Sequence, residues 1–238
     1  MQPQKPITKR PILIVLIVVS TMLLVYFAIS FTETRKIDDC RAAGGVWNSN
    51  SQRCDCISRE MKPPTNSTSY KEYRTKSGKI ICITETHPIG ENLSTVKISS
   101  ECLHIETPIV LKDINPIEKV IVSDLNKDGY DEIYITTRSI DTNSISELFG
   151  FASDKDNGLT QINLQNNRKD SEKGGIFEGC LGHEIYKFEK EAIVLEFPIY
   201  KEKDGDSNPT GATRVITYAL NSDKSGYNLE VTKASTKN

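Results

Sequence analysis

The chain has 238 residues and a formal net charge of −2, with 30 Lys and Arg against 32 Asp and Glu. So even a balance argues against a nucleic-acid binder held by phosphate contacts, which needs a basic face, and no basic stripe interleaved with aromatics occurs. Six cysteines against three histidines favour disulfides over zinc, provided that the domain lies outside a reducing compartment.

Lys5, Lys9 and Arg10 precede an uncharged run, residues 12–31, made mostly of Ile, Leu and Val. Those 20 residues suffice, as a helix, for a hydrocarbon core of roughly 30 Å. The basic flank predicts a single-pass inner-membrane anchor, with residues 1–11 cytoplasmic and the main domain periplasmic. A cleaved signal peptide is the rival, with Ala28-Ile29-Ser30 as a small-x-small site. The run is long for a signal h-region of about 7–15 residues, which favours the uncleaved anchor. Cys40 follows Asp38-Asp39, not a lipobox, so a lipoprotein is not expected.

Residues 32–57 read as a small cysteine-stapled module. Cys40 precedes a Gly44-Gly45 turn, the single tryptophan Trp47, and the pair Cys54 and Cys56. So short a span needs a staple, and the pattern resembles a C-x-x-x-G-G-x-W…C-x-C element of bacterial exported proteins. Three thiols with no nearby histidine make a poor tetrahedral zinc set. Residues 58–69 contain Pro63-Pro64 and a Ser/Thr-rich stretch, and read as a linker. Asn66-Ser67-Thr68 and Asn92-Leu93-Ser94 match glycosylation sequons by chance.

From residue 70 to 238 the chain alternates short β-type runs with turns. Strands are predicted at 79–84, 93–99, 108–111, 119–123, 132–137, 147–152, 159–164, 185–189, 192–197, 214–220 and 227–231. No helical period of useful length appears. The expected fold is therefore all-β, an antiparallel β-sandwich-like domain behind the single transmembrane helix and the cysteine module.

Between two of these runs lies D-x-N-x-D-G-x-x-E. Asp124, Asn126 and Asp128 alternate, Gly129 permits a sharp turn, and the Tyr130 carbonyl and Glu132 carboxylate complete a set of five oxygens. This is the opening of a calcium loop, but not an EF-hand, because position twelve is Ile135 and the flanks read as strands. The alternative is a metal-free Asp-Gly turn held by Asx hydrogen bonds. A propeller would repeat the loop in each blade, and here it occurs once. Asp204-Gly205-Asp206-Ser207-Asn208 is a second acidic loop without a strand frame.

Cys82, Cys102 and Cys180 fall in this domain. Cys82 and Cys102 bracket a strand–turn–strand unit and could pair, leaving Cys180 to bridge to Cys54 or Cys56, though six cysteines allow 15 pairings. His87, His104 and His183 stand in no recognisable nucleophile or base context. No phosphate-binding glycine loop occurs: Gly174-Gly175 lies in a polar loop with no helix after it. An enzyme is not expected.

Three patches resemble the periplasmic inhibitors of invertebrate-type lysozyme. They are Val122-Ser-Asp-Leu-Asn-Lys-Asp-Gly-Tyr-Asp-Glu-Ile-Tyr; Gly179-Cys-Leu-Gly-His-Glu followed by Phe197-Pro-Ile-Tyr-Lys-Glu; and Asp206-Ser-Asn-Pro-Thr-Gly-Ala-Thr-Arg214-Val-Ile-Thr-Tyr218. Their order and spacing fit over about residues 70–231. The resemblance implies an exported β-sandwich whose protruding loop enters a lysozyme cleft and blocks the two catalytic carboxylates. It places the contact at Ser139, Asp141, Ser144 and Ile145, and at the turn carrying Thr210, Gly211 and Arg214. The family's loop is rich in glycine, serine and tyrosine. Here residues 139–146 carry no glycine or tyrosine, Ile145 stands about where the tyrosine would be, and Asp141 adds a negative charge. Weak or absent inhibition of invertebrate-type lysozyme is expected. The implied partner is a lysozyme or another cell-wall hydrolase. The alternative is a calcium-stabilised structural or adhesion-type envelope module.

Overall fold

The computed structural model describes residues 10–42, 45–56, 68–88, 90–100, 108–164, 173–203, 206–223 and 226–238. Two compact units divide the chain, Met1–Asp55 and Cys56–Asn238.

The first unit opens with α1 (Arg10–Ala42). The helix does not stop where the apolar run ends. It continues through Glu33, Arg35, Lys36, Asp38, Asp39 and Arg41, with Arg35 over the Phe31 ring at 4.6 Å. Among the described residues no helix is long and apolar enough to cross a membrane. This overturns the expected single-pass anchor and the inner-membrane and periplasmic placement drawn from it: the helix that contains the apolar run also carries a dense charged segment. After α1 come β1 (Gly45–Asn48) and β2 (Arg53–Cys56), paired as a two-stranded sheet. The Asn48 carboxamide oxygen closes the turn by accepting from Asn50 and Ser51 N–H groups. Cys40 is buried and disulfide-bonded. The side chains of Cys54 and Cys56 lie outside the described residues, as do Cys102, His104 and most of the predicted linker.

The second unit is mostly β, in antiparallel sheets. One sheet is a meander of β3 (Thr68–Arg74), β4 (Ile80–Thr86), β5 (Ser94–Ser100) and β6 (Ile109–Ile114). The next is a meander of β7 (Ile117–Ser123), β8 (Glu132–Arg138), β9 (Ser146–Ser153) and β10 (Leu159–Gln161). The third takes β12 (Ile185–Phe188), β13 (Ile193–Lys203), β14 (Asp206–Asp223) and β15 (Gly226–Lys237), with β11 (Asn163–Leu164) added in parallel beside β15. All eleven predicted strands fall on observed ones. The predicted strand 159–164 breaks at buried Ile162, where the chain leaves one sheet for another.

The sandwich-like, all-β character expected of the domain is present, and the middle sheet packs on both faces. Strand β8 reads Glu-Ile-Tyr-Ile-Thr-Thr-Arg, β-branched or aromatic at nearly every position rather than alternating, and its first six residues are buried. A strand covered on both faces has this composition. Ile133, Ile135 and Phe151 face β4 and β5, meeting Ile81, Ile83, Val96 and Ile98. Tyr134, Leu148 and Ala152 face the third sheet, meeting Ile193, Leu195, Phe197, Ile216 and Tyr218. Each of the Ile, Val, Leu and Phe side chains among these contributes about 1.5–3 kcal/mol by leaving water. Gly150 sits opposite Tyr134, where a Cβ would press on Ile162 at 3.0 Å and Tyr134 at 3.2 Å. A side chain there would make Ile162 or Tyr134 give way by a few tenths of an ångström.

Two expectations change here. The segment Pro209–Arg214 is not a hairpin turn but a bulge inside the long strand β14: Pro209 pairs with Tyr200 and Thr213 with Pro198, while Thr210, Gly211 and Ala212 between them have no partner in the register and Gly211 is left-handed, with a φ of 83°. Cys82 and Cys180 are both thiols. Cys82 is buried within β4 and accepts a hydrogen bond from the Tyr70 hydroxyl at 3.2 Å, so neither proposed bridge from the domain exists.

Candidate functional site

The loop between β7 and β8 is built by its own side chains. Asn126 Oδ1 accepts the Asp128 N–H at 3.0 Å, and Asp128 Oδ1 accepts the Tyr130 N–H at 2.9 Å. These Asx bonds, with left-handed Lys127 and Gly129 (φ 60° and 94°), fold the chain so sharply that the flanking carboxylates converge. One oxygen each of Asp124, Asp128 and Glu132 lies within 4.8 Å of the others. Asn126 is spent on the turn, since its amide nitrogen also donates to Asp128 Oδ2 at 3.1 Å.

The environment of this triad is uneven. The Asp124 side chain is 8% exposed; its Oδ1 has no hydrogen-bond partner. Its Oδ2 receives Lys76 Nζ at 3.2 Å and the Gly129 N–H at 3.3 Å. Glu132 is buried and accepts the Leu125 N–H at 2.7 Å. Burial pushes its carboxyl up to about 8; the Leu125 bond opposes this, and Asp128, Asp124 and Asp131 reinforce it. An orphaned buried carboxylate oxygen beside a carboxyl that resists ionising is a donor set suited to a hard cation such as calcium. Asp124, Asp128 and Glu132 would hold it.

Lys76 and Asp131 were not predicted. Lys76 sits in the β3–β4 turn, and its backbone N–H bonds Asp131 while its ammonium reaches Asp124. The acidic loop is thereby tied to the first sheet. Lys127 pairs with Glu191 of the β12–β13 turn, which ties the loop to the third. Contacts between residues 48 and 64 positions apart leave no local signal in the sequence.

The second site is the β8–β9 loop, residues 139–145. Asp141 turns inward: its Oδ1 accepts from Ser139 Oγ, the Asn143 N–H and the Ser144 N–H, all at 2.9–3.1 Å. Ser139 closes the base by accepting the Ile145 N–H at 2.8 Å. Arg138 lies beneath. It forks onto Glu118 (2.7 and 3.1 Å), both oxygens of Ser144 (3.0 Å each) and the Glu184 carbonyl (2.9 Å). With the polar groups consumed inside the loop, Ile140 and Ile145 point out, 66% and 41% exposed. Leu181 and Ile185 are also exposed.

The four predicted residues Ser139, Asp141, Ser144 and Ile145 thus share one loop. Thr210, Gly211 and Arg214 do not join it. Thr210 donates to the Ile199 carbonyl at 2.9 Å within the β13–β14 irregularity. Arg214 donates to Thr236 Oγ1 at 3.0 Å, and its Nε is buried without a partner. The stretch 179–184 runs between the two places. Gly179 O accepts the Tyr200 N–H at 2.9 Å, and the His183 N–H donates to Asn143 O at 3.0 Å. Arg138, which the sequence reading missed, is the residue that organises the loop.

A Ser94, His87 and Glu85 grouping also occurs. Ser94 Oγ donates to Glu85 at 3.0 Å and lies 2.9 Å from His87 Nδ1. Ser94 is 1% exposed, and Glu85 also accepts the Ile117 N–H. A hydroxyl sealed in this way cannot meet a substrate, so the grouping braces β4, β5 and β7.

No protein-family model, curated protein or solved structure matches the chain. The resemblance to lysozyme inhibitors rests on the three motif patches alone.

Proposed function

We infer that the β domain is a non-catalytic binding module that presents loop 139–145 to a protein partner. The partner class implied by the motif patches is a lysozyme or another cell-wall hydrolase. One observation carries this reading: the loop is locked by its own hydrogen bonds and by Arg138, with its isoleucines turned outward. A rigid loop loses little entropy on docking, so exposed apolar side chains on it convert efficiently into affinity. Thr210, Gly211 and Arg214 belong to a separate patch and are not needed for this contact.

The test is binding of the full-length chain to a panel of lysozymes and peptidoglycan hydrolases, by interferometry and by residual activity. Saturable binding that Ile140→Glu and Ile145→Glu both weaken supports the reading. Binding that neither substitution alters, or no binding across the panel, removes it.

A second reading is a cation-stabilised module, favoured by the unpartnered Oδ1 of Asp124 beside Asp128 and Glu132. The two are compatible, because the acidic loop and loop 139–145 occupy opposite ends of β8. Bound calcium would replace the proton on Glu132 and cross-link the β7–β8 loop.

A further inference from the structure

Strand β9 is paired along most of one side and only at its end on the other. β8 covers Ser146 to Phe151, whereas β10 covers only Phe151 to Ser153. Past that pairing the chain turns away. Ile162 gives its N–H to Gly150 O at 2.8 Å, and Asn163 and Leu164 then join β15. The edge of β9 over residues 146–149 is left as one wall of a slot of about 390 Å³, whose other walls include Ile162, Leu164 and Tyr186.

The ladder fixes where the backbone groups point. In an antiparallel pair the N–H and C=O of one residue point the same way, and successive residues alternate. The Gly150 carbonyl faces away from β8, toward Ile162. The Ser146 N–H faces the same way and is held by Glu184 Oε2 at 3.0 Å. Leu148 lies midway at the same parity, so its N–H and C=O both open into the slot. Leu148 is 7% exposed, and among the described residues neither group has a bonding partner on that side. Buried backbone donors and acceptors are paired in the great majority of cases.

We propose that this slot receives an extended peptide segment of another protein, which adds as a strand to the edge of β9 through the N–H and C=O of Leu148. A donor and an acceptor presented side by side at a strand edge match one residue of an extended backbone. Glu147 is the charged side chain on the rim, and Ile162 and Leu164 form the apolar wall. The segment it fits therefore carries an apolar residue next to a lysine or arginine. The slot begins one residue after loop 139–145, and the Leu148 N–H and C=O, without a bonding partner on that side among the described residues, match a backbone partner whichever protein that loop meets. The inference goes beyond the hydrolase reading and does not depend on it.

The experiment uses the full-length chain, isotopically labelled, and the end-blocked peptide Thr-Val-Lys-Val-Thr up to millimolar concentration. The control is the same peptide N-methylated on alternate residues, which keeps every side chain and removes the donors of one edge. The expected result is a saturable shift and slowed exchange of the Leu148 amide, lost with the methylated peptide. Glu147→Gln weakens binding several-fold, and Gln161→Trp, at the exposed mouth, blocks it. Equal binding of both peptides, or no saturable response at Leu148, overturns the proposal; neither outcome requires a variant to fold.

Discussion

A Cβ placed on Gly182 would lie 2.0 Å from the carbonyl oxygen of Asn143. The contact docks segment 179–184 onto loop 139–145, and the backbone there has a φ of 114°, open to glycine and strained for any other residue. Gly182→Ala should therefore lower stability by about 1–3 kcal/mol and free the His183 amide from Asn143. Chemical denaturation and amide exchange at His183 check this. Unchanged protection would mean that the two segments are held by other contacts.

Arg138 should be the residue on which the shape of the loop depends. Its guanidinium meets one carboxylate, one hydroxyl and two carbonyls at once. Arg138→Ala should cost ~2–3 kcal/mol, the scale of hydrogen bonds to a charged group. Arg138→Lys should restore little, because an ammonium cannot reproduce the planar fork. Urea melts of the two variants should nearly coincide.

Asp141 looks at first like a negative charge facing a partner's acidic cleft. Its carboxylate instead accepts three hydrogen bonds from its own loop. Replacing it by glycine would dissolve the loop; Asp141→Asn keeps an acceptor and removes the charge. The chain as it stands is expected to inhibit invertebrate-type lysozyme weakly or not at all. Ile145→Tyr with Asp141→Asn should strengthen inhibition, read as residual lysozyme activity. Nanomolar inhibition by the unaltered chain would place the contact elsewhere.

Calcium should raise the melting temperature, with a Kd of roughly 10⁻⁴–10⁻³ M as in extracellular modules. Asp128→Ala should abolish the effect. Lys76→Met should strengthen binding, because it removes the ammonium that already neutralises Asp124 at 3.2 Å. Calorimetric scans with calcium and with chelator decide this, and identical melts would leave the loop a metal-free turn.

Glu132 gives the pH dependence. Its carboxyl is held near 8 in the fold, above its ordinary value of 4.5. The folded state therefore keeps a proton that the unfolded chain releases. The resulting stability is fully present below the ordinary carboxylate range and is lost as pH rises through about 8. Chelated protein should lose stability across that window, and Glu132→Gln should flatten the slope. A rising slope would contradict the protonated carboxyl.

Much of this was legible in the residues themselves. The β runs from Ile80 to Val231 declared their class by β-branched content, and Asp124, Asn126, Asp128 and Gly129 declared a tight acidic turn, because both are local properties of backbone and side chain. The reach of the helix from Arg10 was not local. Helix continues wherever i to i−4 bonding is not interrupted, so the charged residues after Phe31 extended it, and the apolar run did not mark its end. Only the tertiary structure decided the rest. The double burial of β8 needed three sheets rather than two. The thiol state of Cys82 and Cys180 depended on where strands set their side chains. Segment 209–214, read as a turn from its Pro-Thr-Gly, became a bulge within β14, because β13 pairs with the strand on both sides of it. Lys76 and Arg138 carry no motif; they matter because folding brings distant charges and carbonyls within about 3 Å of one another, and an ion pair or a fork is specified by position in space, not by spacing along the chain.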